Sequence, residues 1–310
     1  MKTSRRTFLQ RSTLASAVLA TGASLPTSLS AGDAFIRPGN PRLRLGLAGY
    51  SFRKYFLWSK GKPQKPEDPS RSMDMFKFID FCADHNCQGA ELTAYFIPPD
   101  AGKDYYNRLK YHAFVRGLSI SGTAIGNDFS LPKGPKLDYQ IEGAKHGLDQ
   151  AAAMGAPHVR FFAGTGNGFA QGRDRVKNAI ESLKICCDYA GEKGIFIGVE
   201  NHGNITPELL LEIIGKVDSP WIGINLDTGN FISDTPYEDL EQCALHTVNV
   251  QVKVKMKAPD GKKYPADLDR IADILKRANY QGFVVLEFEE NNPFKEVPTW
   301  LNKLDTALNS

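Results

Sequence analysis

The sequence predicts a single (β/α)8 barrel, the TIM-barrel fold class, after an N-terminal signal segment. Short apolar runs typical of strands alternate with segments of helical periodicity from residue 43 to the end of the chain. The alternation gives eight strand–helix units in roughly 275 residues, which is the size and order of a closed barrel. The glycine-rich dinucleotide fingerprint does not follow the first strand, which disfavours an open Rossmann sheet.

Each predicted strand is a short apolar run, and each predicted helix shows apolar residues three and four positions apart. The strands are expected at residues 43–52, 89–95, 118–125, 157–163, 195–200, 221–226, 247–254 and 282–288. The helices are expected at residues 73–86, 105–116, 138–154, 173–193, 207–217, 237–244, 268–278 and 297–308. The Lys- and Pro-rich residues 53–72 are expected to form a loop.

The first residues indicate export. Arg5 and Arg6 form a twin-arginine motif, and a weakly apolar stretch follows at residues 12–25. We therefore expect a twin-arginine signal peptide and linker at residues 1–34, a barrel domain at residues 43–310, and a periplasmic or other extracytoplasmic location. The stretch is too short and too rich in Ala, Ser and Thr to predict stable membrane insertion. The net charge of +3 gives no reason to expect a nucleic-acid partner.

Four consecutive predicted strands, the fifth to the eighth, end in oxygen-bearing side chains. These side chains are Glu200, Asp227, Gln251 and Glu287. In a barrel, the carboxyl ends of all strands meet at one face, where the reactive groups of such enzymes lie. Carboxylate and amide oxygens suit a hard divalent cation. For any one of them alone, a polar strand end facing solvent would be the simpler interpretation.

Further side chains near the same strand ends are candidate substrate contacts. His202 shares a strand face with Glu200, and Lys253 shares one with Gln251. Arg160 is a charged residue inside an apolar strand, where an idle charge is costly. The predicted substrate-binding residues are His202, Lys253, Arg160, Glu91, Tyr50 and Asn127. A solvent-facing loop position remains the alternative for His202, and a solvated loop is favoured over a phosphate site at residues 253–263.

Four short segments resemble the xylose-isomerase-like TIM barrels, a family that includes sugar phosphate isomerases and epimerases. The segments are GVENH at 198–202, NLDTGN at 225–230, QVK at 251–253 and LEF at 286–288. The resemblance implies one divalent metal ion, Mn²⁺ first with Mg²⁺ or Co²⁺ as alternatives, held by Glu200, Asp227, Gln251 and Glu287. The chain departs from the family at Gln251, where histidine is usual, and an all-oxygen site favours Mn²⁺ or Mg²⁺ over Zn²⁺.

By the same resemblance, the function is a metal-dependent isomerase or epimerase that acts on a sugar or keto-sugar through an enediolate. Glu200 and Glu287 are the expected acid/base pair. Return of the proton to the adjacent carbon gives isomerisation, and delivery to the other face of the same carbon gives epimerisation. The expected partner is a small sugar, and a homo-oligomer is possible.

Other functions remain open from the sequence. A lyase or hydrolase acting on 3-keto-glycosides would use the same metal and the same glutamates. A non-catalytic sugar-binding protein would have no reason to retain both Glu200 and Glu287. The DNA endonucleases related to this fold use several zinc ions and many histidines, whereas this chain has six scattered histidines.

Overall fold

The structure, a computed structural model, describes residues 35–310 as a closed barrel of eight parallel strands with helices between them. The predicted fold class is therefore confirmed. Consecutive strands pair in order around the barrel, and the last strand closes it by pairing with the first, from Arg42 opposite Gln281 to Leu47 opposite Leu286. Residues 1–34, which carry the predicted signal peptide, lie outside the described residues. Within residues 35–310, no helix has the length and apolar character needed to cross a membrane.

The elements follow the predicted order. The strands are β1 Arg42–Ala48, β2 Gly89–Glu91, β3 Ser119–Ala124, β4 His158–Phe162, β5 Phe196–Glu200, β6 Ile222–Asp227, β7 Thr247–Val252 and β8 Gln281–Leu286. The main helices are α1 Met75–Asp84, α2 Lys103–Val115, α3 Pro135–Met154, α4 Arg173–Lys193, α5 Pro207–Val217, α6 Pro236–Ala244, α7 Leu268–Arg277 and α8 Pro293–Asn309.

Two helices begin about one turn earlier than their apolar periodicity indicated. The periodicity placed the starts of α3 and α8 at residues 138 and 297, whereas the helices begin at Pro135 and Pro293. Proline suits the first helical position because its missing N–H has no partner to lose there and its φ is already helical. The apolar pattern starts one turn later, so it missed these first turns.

The first two strands are shorter than predicted. β1 ends at Ala48 and is followed by a 3-10 turn at Gly49–Phe52, and β2 ends at Glu91 before a similar turn at Ala94–Phe96. Phe52 and Phe96 are buried in these turns, so apolar side chains continue after the backbone has left the sheet. Apolar composition alone therefore overestimated the strand lengths.

Glycines inside the barrel make room for larger neighbours. A Cβ on Gly89 would lie 2.5 Å from the ring of Phe283, and a Cβ on Gly122 would lie 2.0 Å from the ring of His158. Phe283 packs with Ala48 and Val285 in a small apolar cluster separate from the main core. The barrel interior is therefore filled by rings that occupy the space left by missing side chains.

Gly122→Ala should lower the free energy of unfolding by at least about 2 kcal/mol, because the buried His158 ring has no free space to move into. Gly143→Ala is the matched control, because no atom lies within 4 Å of its new Cβ in α3. That change should stabilise the protein by roughly 0.5–1 kcal/mol through helix propensity. Urea unfolding measures both, and equal effects would contradict the packing described.

His158 gives a pH dependence to stability. Burial lowers the pKa of its imidazole from the ordinary 6.5 to about 4, so the folded protein holds the ring neutral. The resulting stabilisation is fully present above pH 6.5 and is lost as the pH falls through about 4, and it amounts to roughly 3 kcal/mol. Urea unfolding of wild type and His158→Gln at pH 7.5 and pH 4 should show a larger loss for wild type. A constant difference would contradict this assignment.

Candidate active site

The carboxyl-terminal face of the barrel carries a buried layer of ionisable side chains, the ion layer. β5 ends at Glu200, β6 ends at Asp227, and Glu287 follows directly after β8. Lys253 follows β7 directly, and Arg160 lies inside β4. All five side chains are buried. The structure thus brings both predicted acid/base residues together with two cations.

Lys253 lies among three carboxylates. Its Nζ is 2.9 Å from Asp227 Oδ2, 2.9 Å from Glu287 Oε1 and 3.3 Å from Glu289 Oε1. Asp227 keeps its other oxygen for the backbone N–H of Gly229, at 2.9 Å. The ammonium group therefore lies in ion-pair contact with Asp227 at the end of β6 and Glu287 after β8, and its single charge offsets one of the two.

Arg160 is the partner of Glu200. Arg160 Nε lies 2.8 Å from Glu200 Oε2, and Asn230 Nδ2 donates to Glu200 Oε1 at 2.7 Å. Arg160 also donates from its Nη1 to the carbonyl of Ile125 at 2.7 Å, and its guanidinium stacks over the ring of Phe162. One oxygen of Glu200 therefore accepts a hydrogen bond, and the other lies in ion-pair contact with Arg160.

Burial and mutual charge perturb the titration of this layer. Burial raises the pKa of Glu200, and the negative charge of Glu287 adds to the shift while Arg160 opposes it. Burial also raises the pKa of Asp227, against the effect of Lys253. For Lys253, burial acts to lower the pKa, but the surrounding carboxylates outweigh it and raise the pKa above its ordinary value. Glu200 is accordingly a stronger base than a surface glutamate.

A network of amide side chains lies beneath the ion layer. Gln251 Nε2 donates to Glu91 Oε1 at 2.8 Å, and Asn249 Nδ2 donates to Glu91 Oε2 at 3.0 Å. Asn225 Nδ2 donates to Gln251 Oε1 at 2.6 Å, and Asn249 Nδ2 also donates to Asn225 Oδ1 at 2.8 Å. The Glu91 carboxyl group is the final acceptor of this network. Its pKa is raised to about 7, chiefly by burial and further by the charge of Glu287. Glu91 and Gln251 thus support the site from below.

The four predicted metal ligands are engaged with other partners. The Gln251 amide oxygen accepts from Asn225, the carboxylates of Asp227 and Glu287 face Lys253, and Glu200 faces Arg160. Among residues 35–310, no three Asp, Glu, His or Cys side chains are arranged to hold a metal ion. In this arrangement the side chains do not fit the divalent ion that the family resemblance implies, and the metal stays a prediction.

The remaining predicted contacts are spread around the site. His202 is exposed, with its ring centroid 4.5 Å from that of Phe162, and it lines a pocket of about 300 Å³ whose wall also includes Asn230 and Lys253. Tyr50 is half-buried after β1, with its ring edge-on to Tyr95.

The side-chain amide of Asn127 is hydrogen-bonded to the backbone of Phe162. Its Nδ2 donates to the Phe162 carbonyl at 2.6 Å, and its Oδ1 accepts from the Phe162 N–H at 2.9 Å. The side chain joins the loop after β3 to the end of β4, as backbone hydrogen bonds join paired strands. Asn201 makes the same pair of hydrogen bonds to the backbone of Asp227. Its Oδ1 accepts from the Asp227 N–H at 2.8 Å, and its Nδ2 donates to the Asp227 carbonyl at 2.9 Å.

Five residues of the site were not among the predicted ones: Asn201, Asn225, Asn230, Asn249 and Glu289. Strand alternation carries a signal for three of them, because Asn225 and Asn249 lie two positions before Asp227 and Gln251, and Glu289 lies two positions after Glu287. Asn201 and Asn230 act from the turns after β5 and β6, where no periodic pattern identifies a direction.

Comparison with known proteins places the chain in a family. Residues 79–304 match the family model described as xylose isomerase-like TIM barrel, so the chain belongs to this family. The resemblance expected from the strand-end motifs is thereby confirmed at the level of the family. No curated protein matches the sequence.

Solved structures of the same fold cover most of the chain. D-psicose 3-epimerase from Clostridium cellulolyticum H10, solved with D-tagatose, has a TM-score of 0.67 at 14% identity and covers 86% of this chain and 99% of its own. The 3-keto-D-glucoside 4-epimerase of E. coli has a TM-score of 0.64 at 16% identity, covering 86% and 100%. The probable 3-DHS dehydratase of Bacillus anthracis has a TM-score of 0.62 at 17% identity, covering 86% and 99%. At these identities the similarity concerns the fold.

Gln251→Leu tests the amide network. The substitution keeps the approximate size of the side chain but removes the hydrogen-bond partner of one Glu91 oxygen and of Asn225 Nδ2. The free energy of unfolding should therefore fall by roughly 2–4 kcal/mol. Gln88→Leu is the control at an exposed position and should change stability by less than about 0.5 kcal/mol. Urea unfolding at pH 7 compares the two. An unchanged free energy of unfolding in Gln251→Leu would contradict the role of Gln251 in supporting Glu91 and Asn225.

Proposed function

We propose that this protein is an isomerase or epimerase that moves a proton at a sugar carbon next to a carbonyl group. The observation that carries the proposal is the pair of buried glutamates, Glu200 and Glu287, on one barrel face with the cations Arg160 and Lys253. Membership of the xylose isomerase-like family supports the sugar class, and two of the similar structures are described as sugar epimerases.

The reaction needs a base, a path for the electrons and a group that stabilises negative charge. One glutamate takes the proton as the C–H bond breaks; the C–H electrons form a C=C bond and the carbonyl π electrons move to its oxygen, which gives an enediolate. The protonated glutamate, or its counterpart, then delivers a proton to carbon. Epimerisation re-forms the same carbonyl, whereas isomerisation protonates the former carbonyl carbon and moves the neighbouring hydroxyl proton to the former carbonyl oxygen. Burial raises the pKa of Glu200, which makes its carboxylate a stronger base than an ordinary glutamate.

A pocket beside the ion layer supports the proposal of a small-molecule substrate. Its volume of about 300 Å³ suits such a ligand, and its lining includes Lys253 and Glu289 but neither Glu200 nor Glu287. His202 and Asn230 in its wall offer hydrogen-bonding groups for sugar hydroxyls. Tyr50 and its neighbour Tyr95, which accepts from Arg160 at 3.3 Å, offer aromatic edges close to the same face.

Three further parts of the sequence prediction stay predictions. The twin-arginine motif at Arg5 and Arg6 supports an exported, periplasmic enzyme. The divalent metal stays a prediction of the family resemblance, and no step above depends on it. A homo-oligomer likewise stays a prediction.

Proton exchange in deuterated water tests the proposal. Purified protein incubated with free sugars and 3-keto-glucosides should replace one carbon-bound hydrogen with deuterium, as NMR detects. Glu200→Gln and Glu287→Gln should each lower turnover by about 10²–10⁴-fold, because each loses a positioned proton carrier. If the two glutamates serve opposite faces, each variant should still exchange the proton of one epimer. Glu208→Gln, exposed in the first turn of α5, is the control and should retain full turnover.

Three outcomes would contradict the proposal. Sugar binding without exchange in the wild-type protein would indicate a binding protein. Release of free sugar from a 3-keto-glycoside would indicate the lyase or hydrolase alternative. Unchanged exchange in the double variant Glu200→Gln/Glu287→Gln would assign the base to another residue.

A further inference from the structure

We propose that the ammonium group of Lys253 is the resident cation of this site and occupies the place that the family resemblance assigns to a divalent metal ion. Asp227 and Glu287, two of the expected ligands, each lie 2.9 Å from Lys253 Nζ. Glu289, a third carboxylate, lies 3.3 Å from the same atom. Lys253 Nζ donates a hydrogen bond to Glu287 and lies in ion-pair contact with Asp227 and Glu289, and we call these three carboxylates the cage.

The position of Lys253 is built into the neighbouring residues. Its backbone N–H donates to Thr228 Oγ1 at 3.0 Å, which fixes the start of the side chain. Gly229 leaves room for the stem, because a Cβ at that position would lie 3.0 Å from both Cβ and Cγ of Lys253. Thr228 and Gly229, which follow Asp227, thus position the Lys253 side chain so that its ammonium group reaches the Asp227 carboxylate.

The other two expected ligands, Glu200 and Gln251, also contact side chains of the protein itself. Glu200 faces Arg160 and Asn230, so its negative charge is already balanced and both oxygens are used. Gln251 gives its amide oxygen to Asn225. A divalent ion would need oxygens at about 2.0–2.6 Å around a common centre, and the side chain of Lys253 fills the space between the carboxylates that remain.

The inference deepens the proposed function and rests on it in one respect: Lys253 is the group that stabilises the enediolate oxygen. Its charge does not depend on a dissociable ion, so the site is complete in the polypeptide alone. The cage itself, with Lys253 as its cation, can be tested without any turnover measurement.

Manganese titration followed by electron paramagnetic resonance tests the cage. Wild-type protein, freed of metal, should bind no Mn²⁺ up to on the order of 1 mM, the range of the weakest protein sites. Lys253→Ala removes the ammonium and frees Asp227, Glu287 and Glu289 to turn towards a common centre, so this variant should gain one Mn²⁺ site and a Mn²⁺-dependent rise in Tm. Lys253→Arg keeps a cation and should gain no site.

Lys255→Ala is the matched control. Lys255 lies two positions further on and pairs with Glu290, so its loss should not create a Mn²⁺ site. Tight binding of one Mn²⁺ per wild-type chain would overturn the proposal, whether or not Lys253→Ala folds. Equal Mn²⁺ binding by Lys253→Ala and Lys255→Ala would also overturn it.

The two proposals fail separately. Mn²⁺ binding by wild type with normal proton exchange would refute the resident lysine and leave the isomerase or epimerase intact. Absence of exchange on any sugar, with the expected Mn²⁺ results, would refute the proposed reaction and leave the cage intact. Exchange that is unchanged by EDTA in wild type and lowered at least 10²-fold in Lys253→Ala supports both.

Discussion

The site depends on neutralising carboxylates that the barrel buries. Glu200, Asp227 and Glu287 end or follow apolar strands, where an unpaired charge would cost several kcal/mol. Two cations on the same barrel face can offset two of these three charges: Arg160 on β4 faces Glu200, and Lys253 after β7 lies between Asp227 and Glu287. Removing either cation would leave a further buried charge without a partner, so the two cations determine both the charge and the packing of this face.

The amide network separates this ion layer from the apolar barrel floor. Glu91 accepts from Gln251 and Asn249, and both of its oxygens are satisfied without an arginine or lysine in direct contact. An amide side chain offers a donor and an acceptor together, which lets Gln251 bond Glu91 below while accepting from Asn225 beside it. Glutamine at this position, where the family resemblance leads one to expect histidine, therefore has a structural partner on each side.

The barrel and its strand ends were predictable because they depend on local periodicity, as at β5 and β6, whose carboxylates the sequence placed at the ends of apolar runs. The pairing of charges was not predictable in this way. Glu91 and Gln251 are 160 positions apart, and strand alternation says which face a side chain takes but not which partner it meets across the barrel. The central position of Lys253 likewise depends on the space left by Gly229 in another loop.

A lysine held between two carboxylates has a consequence for the proposed reaction. When Glu287 takes a proton from the substrate carbon, its carboxylate becomes neutral and the negative charge moves to the enediolate oxygen. Lys253 loses one anionic partner and gains another, while Asp227 continues to hold it at 2.9 Å. The number of negative charges around the ammonium is therefore the same before and after the transfer, so the surrounding dipoles need little reorganisation. A fixed ammonium, however, does not chelate two substrate oxygens, so orientation of the sugar falls to the pocket walls that include His202 and Asn230.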